Sequence, residues 1–154
     1  MREKTVLLIS GLLAIYSTAA PAQLYGAPPD KILIMDPKKE LGSDQFKAGL
    51  GNDVAFFFIG ADKPAVKKQM EETLLDKRTT LSLGTQEANC RRVLLAVFRD
   101  LQVRARRKGG DAVVNLVSFY RQHYTADSTM IECHSGRDVM AHIILRGNIA
   151  QLDK

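Results

Sequence analysis

Residues 85–120, TQEANCRRVLLAVFRDLQVRARRKGGDAVVNLVSFY, read as a long amphipathic helix, a glycine stop and an apolar strand, and this order decides the fold. On a wheel turning about 100° per residue, Cys90, Leu94, Val97, Leu101 and Ala105 fall on one face, with Phe98 at its edge. That face is the expected core side. Arg92, Arg99 and Arg106 recur every seventh residue and line up on the opposite side, as an amphipathic helix requires. Thr85 is the expected N-cap, because its hydroxyl can accept from an orphan amide. Glu87 suits the positive end of the helix dipole and the run from Arg104 to Lys108 the negative end. Gly109 or Gly110 can take the left-handed conformation that closes a helix.

Outward from this stretch, the remaining elements are read from periodicity. Toward the N-terminus, Lys31 to Met35 is a brief strand candidate, and Ser43 to Leu50 allows one or two helical turns capped by Ser43. Asp53 to Ile59, with three consecutive phenylalanines, reads as a buried strand. Pro64 to Leu75 places Val66, Met70 and Leu74 at helical spacing and is expected to be a short solvated helix. Lys77 to Leu83 is a small edge-strand candidate. Toward the C-terminus, Ala112 to Tyr120 is apolar on both parities, as a central strand should be. Ser128 to His134 and Val139 to Gly147 alternate, as half-buried strands do. Short links favour an antiparallel meander of these three strands. The expected fold is α+β, with one main helix packed on a mostly antiparallel sheet in the order strand, helix, three-stranded meander.

At 154 residues and 45% hydrophobic, the chain amounts to a single domain. Its first residues have the three parts of a secretory signal: Arg2 and Lys4, an apolar run from Val6 to Ala20, then Ala20-Pro21-Ala22. Cleavage is expected after Ala22. The run is shorter than the ~20 apolar residues that span a bilayer, so the mature chain is expected to have no transmembrane segment. The expected organisation is a signal peptide over 1–22, an irregular N-terminal segment over 23–50 and a folded domain over 51–150. Removing the leader leaves 20 Lys and Arg against 16 Asp and Glu, a net charge of +4. That balance favours anionic partners without indicating nucleic-acid binding.

Two cysteines, Cys90 and Cys133, remain in a chain expected to be exported to the periplasm, where a disulfide is the default. Cys90 lies on the core face of the helix. Cys133 shares strand parity with Thr129 and Ile131 and can also face inward. A bridge closing such a loop would stabilise by roughly 3 to 4 kcal/mol on the chain-entropy estimate. The alternatives are two buried thiols or half of a metal site.

The segments Gly51-Asn52-Asp53-Val54-Ala55-Phe56-Phe57-Phe58, Lys77-Arg78-Thr79-Thr80, Gln86-Glu87-Ala88-Asn89-Cys90, Lys108-Gly109-Gly110-Asp111-Ala112-Val113-Val114-Asn115 and Ile131-Glu132-Cys133-His134 resemble a group of small exported proteobacterial proteins. Members of that group often carry the label excinuclease ATPase subunit. The likeness covers most of residues 50–147. The helix-to-glycine junction is also similar to that of the wider YbjQ and RcsF domains, the first described as heavy-metal binding and the second as an envelope stress sensor. The repair label fails a chemical check, since there is no glycine-rich phosphate loop ending in Gly-Lys-Ser/Thr and no Cys-x-x-Cys pair. The chain also lacks the sensor's lipid-bearing cysteine, its long proline-rich linker and a second cysteine pair, so membrane-tethered stress sensing is not carried over.

Two residue sets are candidate sites. His134 and His142, with Glu132 and more remotely His123, could hold a borderline divalent metal if the last hairpin sets His142 opposite Glu132; the plainer expectation is a carboxylate and histidines on the wet face of a sheet. Arg92, Arg99, Arg106 and Arg107 could dock an anionic membrane surface, a polyanion or an acidic protein; the plainer expectation is a solvated helix face. No catalytic residue is expected, because Ser118, Ser128 and Ser135 sit in no nucleophile elbow and bridged cysteines leave no thiolate. The expected function is an exported cell-envelope binding or interaction module, with a metal-binding module that uses the histidines as the runner-up.

Overall fold

A computed structural model describes residues 31–80, 84–120, 130–136 and 139–153. The expected signal peptide, residues 23–30, His123 and Ser128 lie outside the described residues.

The central helix, numbered α3 in chain order, runs Gln86–Lys108 and ends where its capping residues demand. The Thr85 hydroxyl accepts from the Ala88 amide at 3.2 Å. Gly109 closes the helix in the left-handed region at φ 74°, where a side chain would be strained. Cys90, Leu94, Val97, Phe98, Leu101 and Ala105 are all completely buried. Asn89, Leu95 and Gln102 are buried as well, so the covered part of the helix is wider than a single stripe.

The extra cover comes from the N-terminal stretch expected to be irregular. It forms a strand β1 (Lys31–Met35) and two short helices, α1 (Pro37–Gly42) and α2 (Asp44–Gly49). Asp36 caps α1 by accepting from the Lys38 amide, and Pro37 occupies the first helical position, where its missing N–H costs nothing. Ser43 does precede α2, but its hydroxyl donates to the Glu40 carbonyl instead of capping. Met35 and Phe46 belong to the same buried cluster as the α3 face. The 31–50 segment is therefore part of the domain.

Six strands make one sheet in the order β1-β5-β6-β4-β2, with β3 also paired to β6. The strands after β1 are β2 (Ala55–Phe58), β3 (Val66–Thr79), β4 (Ala112–Ser118), β5 (Ile131–Ser135) and β6 (Ala141–Leu152). The architecture is α+β, as expected, with a larger sheet than periodicity alone suggests. Three further expectations are corrected.

The stretch expected to be a helix over 64–75 is the first part of β3, a 14-residue strand that takes in Lys77–Thr79 as well. Its pairing with β6 slips between Val66 and Lys68 and again between Gln69 and Glu72. Each slip adds a residue to one strand and breaks the two-residue alternation. Inward positions then fall at Met70, Thr73 and Leu75, a spacing that imitates a helix.

The final strands are not a sequential meander. β6 pairs with β3 along Ala141–Leu152 and with β4 over Leu145–Ala150. A strand has only two edges, so β5 meets β6 beyond the end of β4, at His134 opposite His142. β6 is thus the centre of the sheet. Gly147 lies where it crosses β4, and a Cβ there would sit 2.8 Å from Leu116 Cδ2 and 3.1 Å from the Val114 carbonyl.

The triple phenylalanine lies at an edge of the sheet and is not enclosed by it. β2 pairs in parallel with β4 alone, and only Phe58 of the three is fully buried.

Candidate functional site

The arginines expected to form a solvated ridge divide into two kinds. Arg99 donates from Nε to the Gly49 carbonyl at 3.0 Å, at the end of α2. Arg106 grips Asp53 in a fork, with Nε to Oδ2 at 2.5 Å and Nη2 to Oδ1 at 2.7 Å. Between them, Gln102 donates to the Gly51 carbonyl at 2.8 Å. Nearer the start of α3, Arg91 pairs with Glu40 of α1 at 3.1 Å and with Glu87 at 2.8 Å. Glu40 is 5% exposed, and a carboxylate so buried needs such a partner. The polar side of α3 is therefore the seat for residues 36–53.

Arg92 and Arg107 remain exposed, and among the described residues neither joins an ion pair. They stand fifteen residues apart, about 22 Å along a helix. The four arginines do not form one continuous cationic stripe. Arg91 was missed because its role depends on α1, although its i, i+4 spacing from Glu87 was visible in the sequence.

The Arg106 guanidinium holds the Asp53 carboxyl below the usual carboxylate range, and Asp53 in turn raises Arg106. A lowered carboxylate contributes stability that is complete above its unfolded value and is lost as pH falls through the folded one. Asp53→Asn should therefore lower the urea midpoint at pH 7, and the gap from the unaltered protein should close as the pH drops below about 4. Urea titrations at pH 7 and pH 2.5 check this. An equal gap at both values would remove the ionic pair as the cause.

On the sheet face away from α3, the histidines are arranged differently from the expectation. His142 stands opposite His134, not opposite Glu132. His134 is 5% exposed, so it is not on a wet face. Tyr120 explains that burial, since its ring stacks on His134 at 3.5 Å between centroids and meets His142 edge-on at 5.3 Å. His134 Nε2 lies 3.0 Å from Glu132 Oε2, and His142 Nε2 lies 2.8 Å from Asp76 Oδ1. An ionised carboxylate only accepts, so in each of these contacts Nε2 is the donor. Among the described residues, Nδ1 of His134 is buried without a hydrogen-bond partner.

Chemically, this cluster brings together two imidazoles, each with Nε2 held against a carboxylate. Among the described residues no three His, Cys, Asp or Glu side chains converge as a metal site. The Tyr120 and Asp76 contacts were not legible in sequence, since both depend on β6 lying between β3 and β5.

Cys90 and Cys133 are joined, with their Cα atoms 5.9 Å apart and both residues fully buried. Ser118 Oγ accepts from the Glu132 amide at 2.9 Å, and Ser135 Oγ accepts from Gln86 Nε2 at 2.9 Å. Each of these serines spans two elements. A groove of about 270 Å³ runs between α1 and β2, lined mainly by Pro37, Leu41, Phe56, Phe57 and Ile59. Among the described residues, no helix is long and apolar enough to cross a membrane. No family model, no curated protein and no solved structure matches the chain.

Proposed function

We propose that the protein is exported to the periplasm and works there as a binding or interaction module of the cell envelope, without catalytic activity and unconnected with ATP-driven DNA repair. The observation that carries the reading is the buried Cys90–Cys133 bridge between α3 and β5. Such bridges form and persist in oxidising compartments and are rare in a reducing cytosol. The leader-like pattern of residues 1–22 agrees with it. Two surfaces available for a partner are the apolar groove beside β2 and the exposed arginines Arg92 and Arg107 of α3.

Expression of the full chain in a bacterial host, followed by osmotic shock and intact-mass analysis, tests the reading. The expected result is a released protein that begins at Gln23 and has no titratable thiol. An intact Met1 terminus in the cytosolic fraction, with two free thiols, would overturn it. For the cations, binding to anionic but not neutral vesicles should weaken in Arg92→Gln/Arg107→Gln.

A second reading, metal binding through His134 and His142 with Glu132, is favoured by one feature, the buried Nδ1 of His134, which has no hydrogen-bond partner among the described residues. Native mass spectrometry with zinc, copper or nickel distinguishes the two. Stoichiometric uptake that is lost in His134→Ala and in His142→Ala would establish the second reading.

A further inference from the structure

Three strands leave an outer edge open among the described residues, β1, β2 and β3. They differ in how that edge is guarded. β3 carries the exposed charges Lys67, Lys68, Glu71 and Glu72, which discourage further strand pairing. β2 has four residues and a register slip. β1 has neither protection. Its alternate residues Leu33 and Met35 pack toward the core, while Ile32 and Ile34 are 54% and 50% exposed, the two most exposed large hydrophobic side chains described. The only charge within the strand is Lys31 at its start.

We propose that β1 pairs with β1 of a second copy of this chain, antiparallel and about a twofold axis through Leu33, so that two six-stranded sheets become one. An extended strand is the occupant whose chemistry fits, because it supplies backbone donors and acceptors to the open edge and apolar side chains beside the isoleucines. A lipid surface would cover the isoleucines and leave the backbone groups unpaired.

A second copy fits in particular on two counts. In this register Ile32 lies opposite Ile34 of the second copy, so the exposed apolar residues cover one another and Leu33 remains on the core side. Charge also matches, since Lys31 lies opposite Met35 of the second copy and next to that copy's Asp36. Asp36 is exposed just past the end of the strand, where its carboxylate also accepts from the Lys38 amide. The twofold axis repeats this match at the other end. A closed twofold contact also stops at two copies and does not propagate. Five paired residues bury less than the ~1,200 Å² of a standard stable interface, so the dimer should form at tens to hundreds of micromolar, on the order of the affinity such small interfaces reach.

The proposal does not depend on the export reading. Sedimentation velocity of the oxidised chain from Gln23 onward, from about 5 µM to 1 mM, tests it. The expected result is a concentration-dependent shift from one chain's mass to two. Ile32→Lys and Ile34→Lys should each weaken association at least tenfold, with the thermal midpoint of the monomer little changed because both side chains are exposed. The double variant Ile32→Lys/Ile34→Glu sets opposite charges across the axis and should recover association relative to either lysine variant. A single chain's mass throughout the range overturns the proposal, even if removing residues 23–30 then allows dimers, since this chain's own leading segment would then be the occupant. Dimers indifferent to both lysine variants, or not recovered by the double variant, overturn it equally.

Discussion

Phe98→Ala is expected to lower the unfolding free energy by about 3–5 kcal/mol, the range for removing a fully buried aromatic ring. Phe98 is completely buried on α3. Its ring meets Phe46 of α2 edge-on at 6.0 Å and Phe56 of β2 at 4.8 Å. Two elements far from α3 in sequence converge on this one side chain, and edge-to-face pairs contribute beyond their buried area. The cavity would open where the 36–53 arm joins the helix, so amide exchange in α2 should accelerate before exchange in β4 or β6. Urea denaturation followed by circular dichroism measures the loss, and Phe98→Leu, which keeps most of the volume, should cost less than half as much. A loss in Phe98→Ala below about 1.5 kcal/mol, within the range of ordinary substitutions, would mean that the arm is held mainly by its polar contacts.

Replacing the bridge by Cys90→Ala/Cys133→Ala should cost about 4 kcal/mol on the loop-entropy estimate, given a sequence separation of 43 residues. For a chain of this size that is a fall of roughly 10–15 °C in the thermal midpoint. The bridge ties α3 to β5, and β5 otherwise meets β6 in a single registered pair and depends on β1 for the rest of its pairing. Its loss should therefore loosen the β1–β5 side of the sheet more than the β4–β6 side. Both sulfur-bearing residues are fully buried, so reductant should attack only after the region opens. Calorimetry of the double variant beside the oxidised protein checks the magnitude. A midpoint within about 3 °C of the parent, corresponding to under 1 kcal/mol, would contradict a structural role for the bridge.

The arginine face shows what a periodic pattern can and cannot say. Seven-residue spacing placed Arg92, Arg99 and Arg106 away from the main core correctly, but that side of the helix is not free. Arg99 and Arg106 are ligands for backbone and carboxylate groups of residues 49–53. Gln102, buried beside them against Gly51, looks like an ordinary solvent-facing amide in sequence. The histidines carry the same lesson. Alternation correctly gave Cys133 to the core and His134 to the opposite face, but alternation has no information on what stacks above that face.

The sequence by itself determined α3, its Thr85 cap, its Gly109 stop, the apolar β4 and the inward parity of both cysteines. These follow from interactions within a few residues, where capping, left-handed glycine and a clean 3.6 or 2.0 period act locally. Only the tertiary structure decided that 66–79 is a strand, that β6 runs between β3 and β5, and that residues 36–53 close over the helix. Each of these depends on hydrogen bonds or burial supplied by a distant partner: β6 for the slipped strand β3, and Phe98, Arg99, Gln102 and Arg106 for the arm. A local pattern cannot encode a partner's register, because bulges and shared edges alter the period that the pattern relies on.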